Sequence, residues 1–425
     1  MKQTINYHKT VLENGLRLVN ISGLSTNAVA LGIYIQAGVR FDPQDKPGLS
    51  HFTEHMVFSG TKSFPTPEAL AHALDRYGGW HSAFTWIEDQ SHTIQLPQEY
   101  FDIGIKVLLE TAFDPIIKTS EIEKEKGIVN EEILTNKADP SKAIWDYVWF
   151  PLFFQGTSLA RPYSGSTEDI DNISEEDVRM FISDYFHPQN MTLFVAGDLS
   201  DAKVEEVVSQ YNKKIKHIGE KKENPLIPTR KNKIFVHQDN FYYQTSLAIG
   251  IPTVPFSSSK KYVFNILREM LVGYRGSPLL QQLRNEGLIY TFNSFQDNLS
   301  DSGYIVITVS ASPENITRVS KLIIQEFYRI CEGNFNEEEV TMAKDHLIGS
   351  FSLTMQTGLD YITWYGLQEL LDPEHVLGTE EAMNVYRQIG SKEIAEVARE
   401  YLQKNNILIG AIGNVTESSL TDSLG

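Results

Sequence analysis

The spacing of apolar residues changes along the first half of the chain. Residues 16–21 follow an Asn14-Gly15 turn, and Val29, Leu31, Ile33 and Ile35 recur at period two, which predicts antiparallel strands. From residue 66 the period becomes helical, with Leu70, Ala73, Leu74 and Tyr77 on one face. Thr66 is placed to cap that helix, Pro67 suits its first position, and Gly78 can take the left-handed conformation at its end. The pattern predicts a helix over 66–79, with two more at 101–113 and 120–136, the last stopped by Asp139-Pro140. Strands interleaved with helix pairs predict an α+β fold of mixed or antiparallel sheets with helices packed on one face.

A shift of 216 residues lays the end of one half on the end of the other. Tyr185 falls on Tyr401, Asn190 on Asn406 and Gly197 on Gly413, and the preceding Ile173, Val178 and Phe181 fall on Ile389, Ile394 and Val397. The same shift carries Leu31, Ile33 and Ile35 onto Leu247, Ile249 and Ile251. Agreement at one offset close to half the chain predicts two homologous domains from an internal duplication. The Lys-rich stretch 212–232, with Pro225 and Pro228 and little periodicity, has linker composition. The expected division is 1–215, a linker at 216–232, and 233–425.

With 425 residues, 41% apolar and 22% charged, the chain has material for a large core. Its formal charge of −18 repels phosphate backbones and anionic lipid, which argues against nucleic acid or a membrane as partner. The single cysteine, Cys331, cannot form an intrachain disulfide or a thiolate cluster, so a metal site would draw on His, Asp and Glu. No signal, transit or membrane-spanning pattern is seen, and a cytoplasmic location is expected.

Those residue types occur in one suggestive place. His51 and His55 bracket Glu54 in an H-x-x-E-H string, and four residues apart on a helix both imidazoles face one side, close enough to share an ion. Glu54, at the edge of that face, is a candidate general base. The helix at 120–136 carries an apolar stripe through Ile122, Val129 with Ile128 beside it, and Ile133, interrupted by Glu125 and Glu132. Carboxylates on a buried face are costly unless paired or coordinated. Two His and one Glu make the first shell of a catalytic zinc with a fourth position open. The plainer alternatives are two surface histidines and two solvated carboxylates at the edge of the stripe.

The string, its HFTEHMVFSGT surroundings after Gly48-Leu49-Ser50, the stretch Ala37 to Asp42 and the segment EKEKGIVNEEI resemble the pitrilysin/insulinase family of inverzincin zinc peptidases. Size and duplicated plan resemble the branch holding mitochondrial processing peptidase and bacterial two-domain homologues. The resemblance implies one Zn2+ per chain on His51, His55 and Glu132, with Glu125 as an auxiliary carboxylate; Glu131 competes with Glu132 but lies off the stripe. LRNEGLIY at 283–290 resembles the family's Arg and Tyr pair, which places Arg284 and Tyr290 near the oxyanion, though the spacing is one residue shorter than usual. The plainer alternative there is a helix end with Gly287 beyond it and Tyr290 packed on the next strand. At the second-half position of the metal helix the chain reads NILRE, without histidine.

In the family a stretch like GGWHSAFT leads into an edge strand that pairs with extended substrate, which marks Ser82, Ala83 and Phe84 as substrate contacts. Ser82 stands where the family commonly has Asn. His81 beside Trp80 is left out of the metal set. The function implied is a zinc endopeptidase that cuts peptides or unfolded polypeptide inside a dimeric chamber. The partner expected is a second copy, or a homologous subunit in a heterodimer. The alternative is a non-catalytic core or peptide-binding subunit paired with an active homologue.

Overall fold

The computed structural model describes residues 5–212, 215, 219, 228, 230–239 and 241–421. Most of the linker expected at 216–232 lies outside these residues. Among them are two sheets. The first contains β1 (Asn6–Val11), β2 (Arg17–Ser22), β3 (Ala28–Ile35), β4 (Trp80–Thr85), β5 (Gln90–Pro97) and β6 (Met191–Ala196), in the order β1-β2-β6-β3-β5-β4. The second contains β7 (Ile234–Gln238), β8 (Thr245–Thr253), β9 (Thr291–Asn298), β10 (Gly303–Ala311) and β11 (Leu408–Gly413), in the order β7-β11-β8-β10-β9. Neighbours are antiparallel except β2 with β6 and β7 with β11, so each sheet is mixed.

The offset of 216 reappears in the topology. It relates helix Glu175–Tyr185 to helix Ser391–Tyr401 and the 3-10 turn Pro188–Asn190 to Lys404–Asn406. The β2-β6-β3-β5-β4 order of one sheet is repeated as β7-β11-β8-β10-β9 in the other. The fold is α+β, with two mixed sheets and helices on each.

The chain forms two compact units, and they do not follow a single cut. The first comprises Met1–Glu131, Tyr163–Asn224 and Thr354–Leu377; the second comprises Glu132–Pro162, Pro225–Leu353 and Gly378–Gly425. Each half of the chain thus lends a segment to the other unit, and the lent segments, 132–162 and 354–377, begin at nearly equivalent positions under the 216 offset.

Within the first unit this explains why β3 is buried on both sides. Leu31 packs toward the helix Phe101–Phe113, where Gly104 lets the chains approach. The alternate residues Ala30 and Tyr34, with Val19, Ile21 and Phe194, pack against Tyr361, Ile362 and Tyr365 of the helix Gly358–Leu371. A Cβ on Gly32 would stand 2.8 Å from Ile362 Cγ2, and one on Gly366 would stand 2.4 Å from the Tyr34 ring, so glycine on each side permits the docking. The expected one-sided cover describes the helices contributed by the same half; the exchanged helix covers the other face. In the second unit, Trp149 of the lent segment reaches Gly250 of β8 in the same way.

Candidate metal centre

The site is built around helix α1 (Leu49–Val57), and its first turn is fixed by Asp42. That carboxylate accepts from the Gly48 and Ser50 backbone N–H groups at 2.8 and 2.7 Å, satisfying donors that the helix leaves without intrahelical partners. Gly48 has φ of 81°, and a Cβ there would lie 2.3 Å from the Ser164 carbonyl, so only glycine allows this approach. Gln90 of β5 donates to the Ser50 carbonyl at 2.7 Å. Nearby, the buried Arg40 guanidinium pairs with Glu88 at 2.5 Å. The stretch Ala37 to Asp42 therefore acts as the seat of α1.

One turn in, His51 is buried and His55 half-buried, their rings edge to face with centroids 4.8 Å apart. Burial, with a smaller effect from His55, pushes the His51 pKa down to about 3, so its ring is neutral and keeps a lone pair at physiological pH. The helix α2 (Thr119–Ala138) brings Glu132 to the pair: one ligand atom from each of His51, His55 and Glu132 lies within 4.8 Å of the others. The division between the two units passes between Glu131 and Glu132, inside this unbroken helix. Glu125, two turns earlier, accepts from His55 Nδ1 at 2.7 Å. A carboxylate only accepts, so Nδ1 carries a proton and Nε2 is the ring nitrogen left to ligate.

The stripe on α2 is narrower than its sequence predicts. Ile122, Val129 and Ile133 are buried, but Ile128 is 56% exposed and Glu131 is exposed as well. Glu125 and Glu132 flank the buried line at intermediate exposure, neither sealed in the core nor fully solvated.

Glu54 projects from α1 toward β4, where Thr85 donates its hydroxyl to Oε2 at 2.5 Å. The Thr85 carbonyl accepts from the Tyr163 hydroxyl, and the Tyr163 ring lies 5.4 Å from that of His51. Thr85 and Tyr163 were not singled out from the sequence, because their roles depend on strand register and on a loop's return. Asp42 was visible only as part of a motif. His81 stacks on Phe58 at 4.7 Å and is not part of the cluster.

β4 lies at the sheet edge and pairs with β5 alone among the described residues. Ser82 and Phe84 are exposed on one of its faces and Ala83 is half-buried on the other. Arg284 and Tyr290 belong to the second unit. Arg284 is exposed in the last turn of the helix Pro278–Asn285, followed by Gly287 at φ of 66°. Tyr290 is 60% exposed and its backbone N–H donates to the Ser310 carbonyl at 2.8 Å, so its ring is not tucked against the neighbouring strand. The helix Lys260–Arg268 has no histidine.

An edge-strand sheet beside an H-x-x-E-H helix defines a class, and sequence comparison names it. Residues 17–166 match the insulinase family, peptidase family M16, and residues 172–347 match the peptidase M16 inactive domain. The chain belongs to the insulinase family. It is 26% identical over 409 residues to an uncharacterized zinc protease, YmxG, of Bacillus subtilis, covering 95% of this chain and 98% of that protein. Its fold is similar to the crystal structure of a protease from Helicobacter pylori, with a TM-score of 0.87, 20% identity, and 96% and 100% of the two chains covered. It is also similar to a chain of complex III2 from Candida albicans, with a TM-score of 0.84, 15% identity, and 99% and 100% covered. Among the described residues no helix is long and apolar enough to cross a membrane.

The donor set fits a zinc ion. Two imidazoles and a carboxylate are ordinary zinc ligands, and donors bonded at roughly 2.1 Å to one tetrahedral ion stand about 3.4 Å apart. The three ligand atoms, all within 4.8 Å of one another, are near enough to share one such ion.

Proposed function

We propose that the chain is a zinc-dependent endopeptidase acting on peptides or unfolded segments. The observation that carries the reading is the convergence of His51, His55 and Glu132, with Glu54 on the same helix as the two histidines. When bound, zinc supplies a Lewis acid that activates water near neutral pH and polarises a peptide carbonyl. His51, His55 and Glu132 hold the ion, and Glu125 keeps His55 in the tautomer whose Nε2 can ligate. Glu54 takes the proton of the attacking water on its carboxylate and returns it to the leaving amine.

The free edge of β4 offers backbone groups along Ser82, Ala83 and Phe84 to an extended peptide, which would add as a strand. Such pairing needs an unfolded stretch of substrate. Tyr290 and Arg284 donate to the developing oxyanion, each donor contributing about 3 kcal/mol. As the resemblance implies, two chains assemble into a closed chamber, either two copies of this chain or this chain with a homologous subunit.

The test is digestion of a library of short unstructured peptides at neutral pH, read by mass spectrometry, with zinc-loaded wild type and Glu54→Gln side by side. Cuts made by wild type alone are expected. No cuts from a folded, zinc-loaded wild type would overturn the peptidase reading in favour of a non-catalytic subunit.

A further inference from the structure

We propose that Thr85 is a positioning residue for the Glu54 carboxylate, an inference that rests on the peptidase reading above. Thr85 is the last residue of β4 and is fully buried. Its hydroxyl donates to Glu54 Oε2 at 2.5 Å, a part-buried bond of the short kind made to a carboxylate. A β-branched side chain is restricted at χ1, so the backbone that carries the hydroxyl narrows where it can aim.

That backbone is tied to α1 at two further points. The Thr85 carbonyl accepts from Tyr163, whose ring packs 5.4 Å from His51. Its register partner Gln90 donates to the Ser50 carbonyl at 2.7 Å. The end of the edge strand and the first two turns of α1 therefore form one hydrogen-bonded block. A glutamate on a helix otherwise has three torsions to settle, and a bond to one oxygen removes much of that freedom. Because β4 is also the strand offered to substrate, Thr85 registers the base against the peptide that the strand would bind. Displacement of a reacting group by about 1 Å can cost about a hundredfold in rate.

Thr85→Val keeps the side-chain shape and removes the donor, whereas Thr85→Ser keeps the donor and removes a methyl group. With zinc content and folding verified, Thr85→Val should lower kcat by about tenfold or more and leave KM within about twofold, the mark of an interaction made at the reacting centre. Thr85→Ser should stay within about threefold of wild type on the same scale. A Thr85→Val kcat close to wild type, or equal impairment of the valine and serine variants, would overturn the inference.

A second readout does not depend on activity. Urea unfolding of the zinc-free protein in a double-mutant cycle of Thr85→Val and Glu54→Ala should give non-additive midpoints, and additive midpoints would refute the contact. A wild type that cuts no peptide refutes the peptidase reading, and the cycle then decides the Thr85 contact by itself.

Discussion

The reciprocal loan of segments makes a strong demand on any attempt to separate the halves. Produced alone, residues 1–215 lack the helix Gly358–Leu371, and with it Tyr361, Ile362 and Tyr365, each no more than 9% exposed against Val19, Ile21, Tyr34 and Phe194. At about 2 kcal/mol per buried large side chain, that face loses about 6 kcal/mol. The same fragment keeps residues 132–162, whose buried Ile144, Trp149 and Phe153 then have no second sheet to cover, a further loss of similar size. Polar ties go as well: Lys9 loses its 2.9 Å pair with the buried Glu369 carboxylate, and Arg17 loses its 2.7 Å bond to the Glu369 carbonyl. Whole domains are stable by about 5–15 kcal/mol, so the deficit consumes the total. The fragment is expected to be expanded and prone to aggregate, without near-ultraviolet circular dichroism. Co-expression with residues 233–425 should restore a soluble species with a cooperative urea transition. A sharp, cooperative transition from residues 1–215 alone, with an m-value suited to their length, would refute the reasoning.

Three further outcomes follow from the site and its surroundings. Glu125→Ala removes the acceptor that holds His55 Nδ1 and should weaken zinc binding by about 10–100-fold in chelator competition, with an unchanged affinity counting against the orienting role. If active sites are shared between two copies, Glu54→Gln and Tyr290→Phe proteins, each inactive, should regain activity when mixed, and no recovery despite verified subunit exchange would exclude sharing. Burial pushes the pKa of His92, packed among Phe58, Phe186 and His81, down to about 3, below about 6.5 in the unfolded chain. The unfolded chain then binds the extra proton, so this contribution is complete above pH 6.5 and is lost as pH falls toward 3, by up to about 1.4 kcal/mol per unit. In zinc-free protein, wild type should lose about 2 kcal/mol more than His92→Leu between pH 6.5 and 4.5, and equal slopes would show that His92 does not titrate as its burial requires.

Local signals proved legible where one element decides the outcome. Thr66 caps its helix, accepting from the Ala69 N–H at 3.2 Å, and the helix expected at 101–113 spans Phe101–Phe113. The helix expected over 66–79 ends at Asp75, because Gly78 and Gly79 turn their N–H groups back to the Asp75 and Leu74 carbonyls. Asp139-Pro140 ends one helix and starts another, with Asp139 accepting from the Ser141 N–H. Helical phase also agrees with the burial along α2, where Ile122, Val129 and Ile133 are buried, Glu132 is intermediate and Glu131 is exposed. What escaped the sequence depends on contacts between distant elements. Ala30, Gly32 and Tyr34 look like the open side of a strand until a helix more than 300 residues later covers them. Thr85 meets Glu54 only once β4 is in register with β5 and laid beside α1.

The duplication also bears on why one half presents a candidate metal cluster and the other, among the described residues, does not. At the offset of 216, α2 corresponds closely to the helix Glu337–Thr354, and α1 corresponds to residues 265–273, which span the end of the helix Lys260–Arg268 and the π turn Glu269–Gly273. Leu267 and Leu271, both buried, stand where His51 and His55 stand. The second pair of helices is still bridged, but with the charges exchanged: Glu269 comes from the first helix of the pair and His346 from the second, 2.7 Å apart. These positions correspond to Thr53 and Asn130, so the bridge is not the remnant of a metal site in its old place. A buried carboxylate needs partners, and Glu269 has two, His346 and Arg268, the latter also at 2.7 Å. Space for it comes from Gly273, where a Cβ would fall 2.0 Å from Glu269 Oε2. A cluster of three ligands that converge on one ion needs help from outside the chain. A carboxylate with a histidine and an arginine as partners holds the same two helices together using the chain's own groups. The second copy can therefore keep the fold of the first without the His, His and Glu grouping.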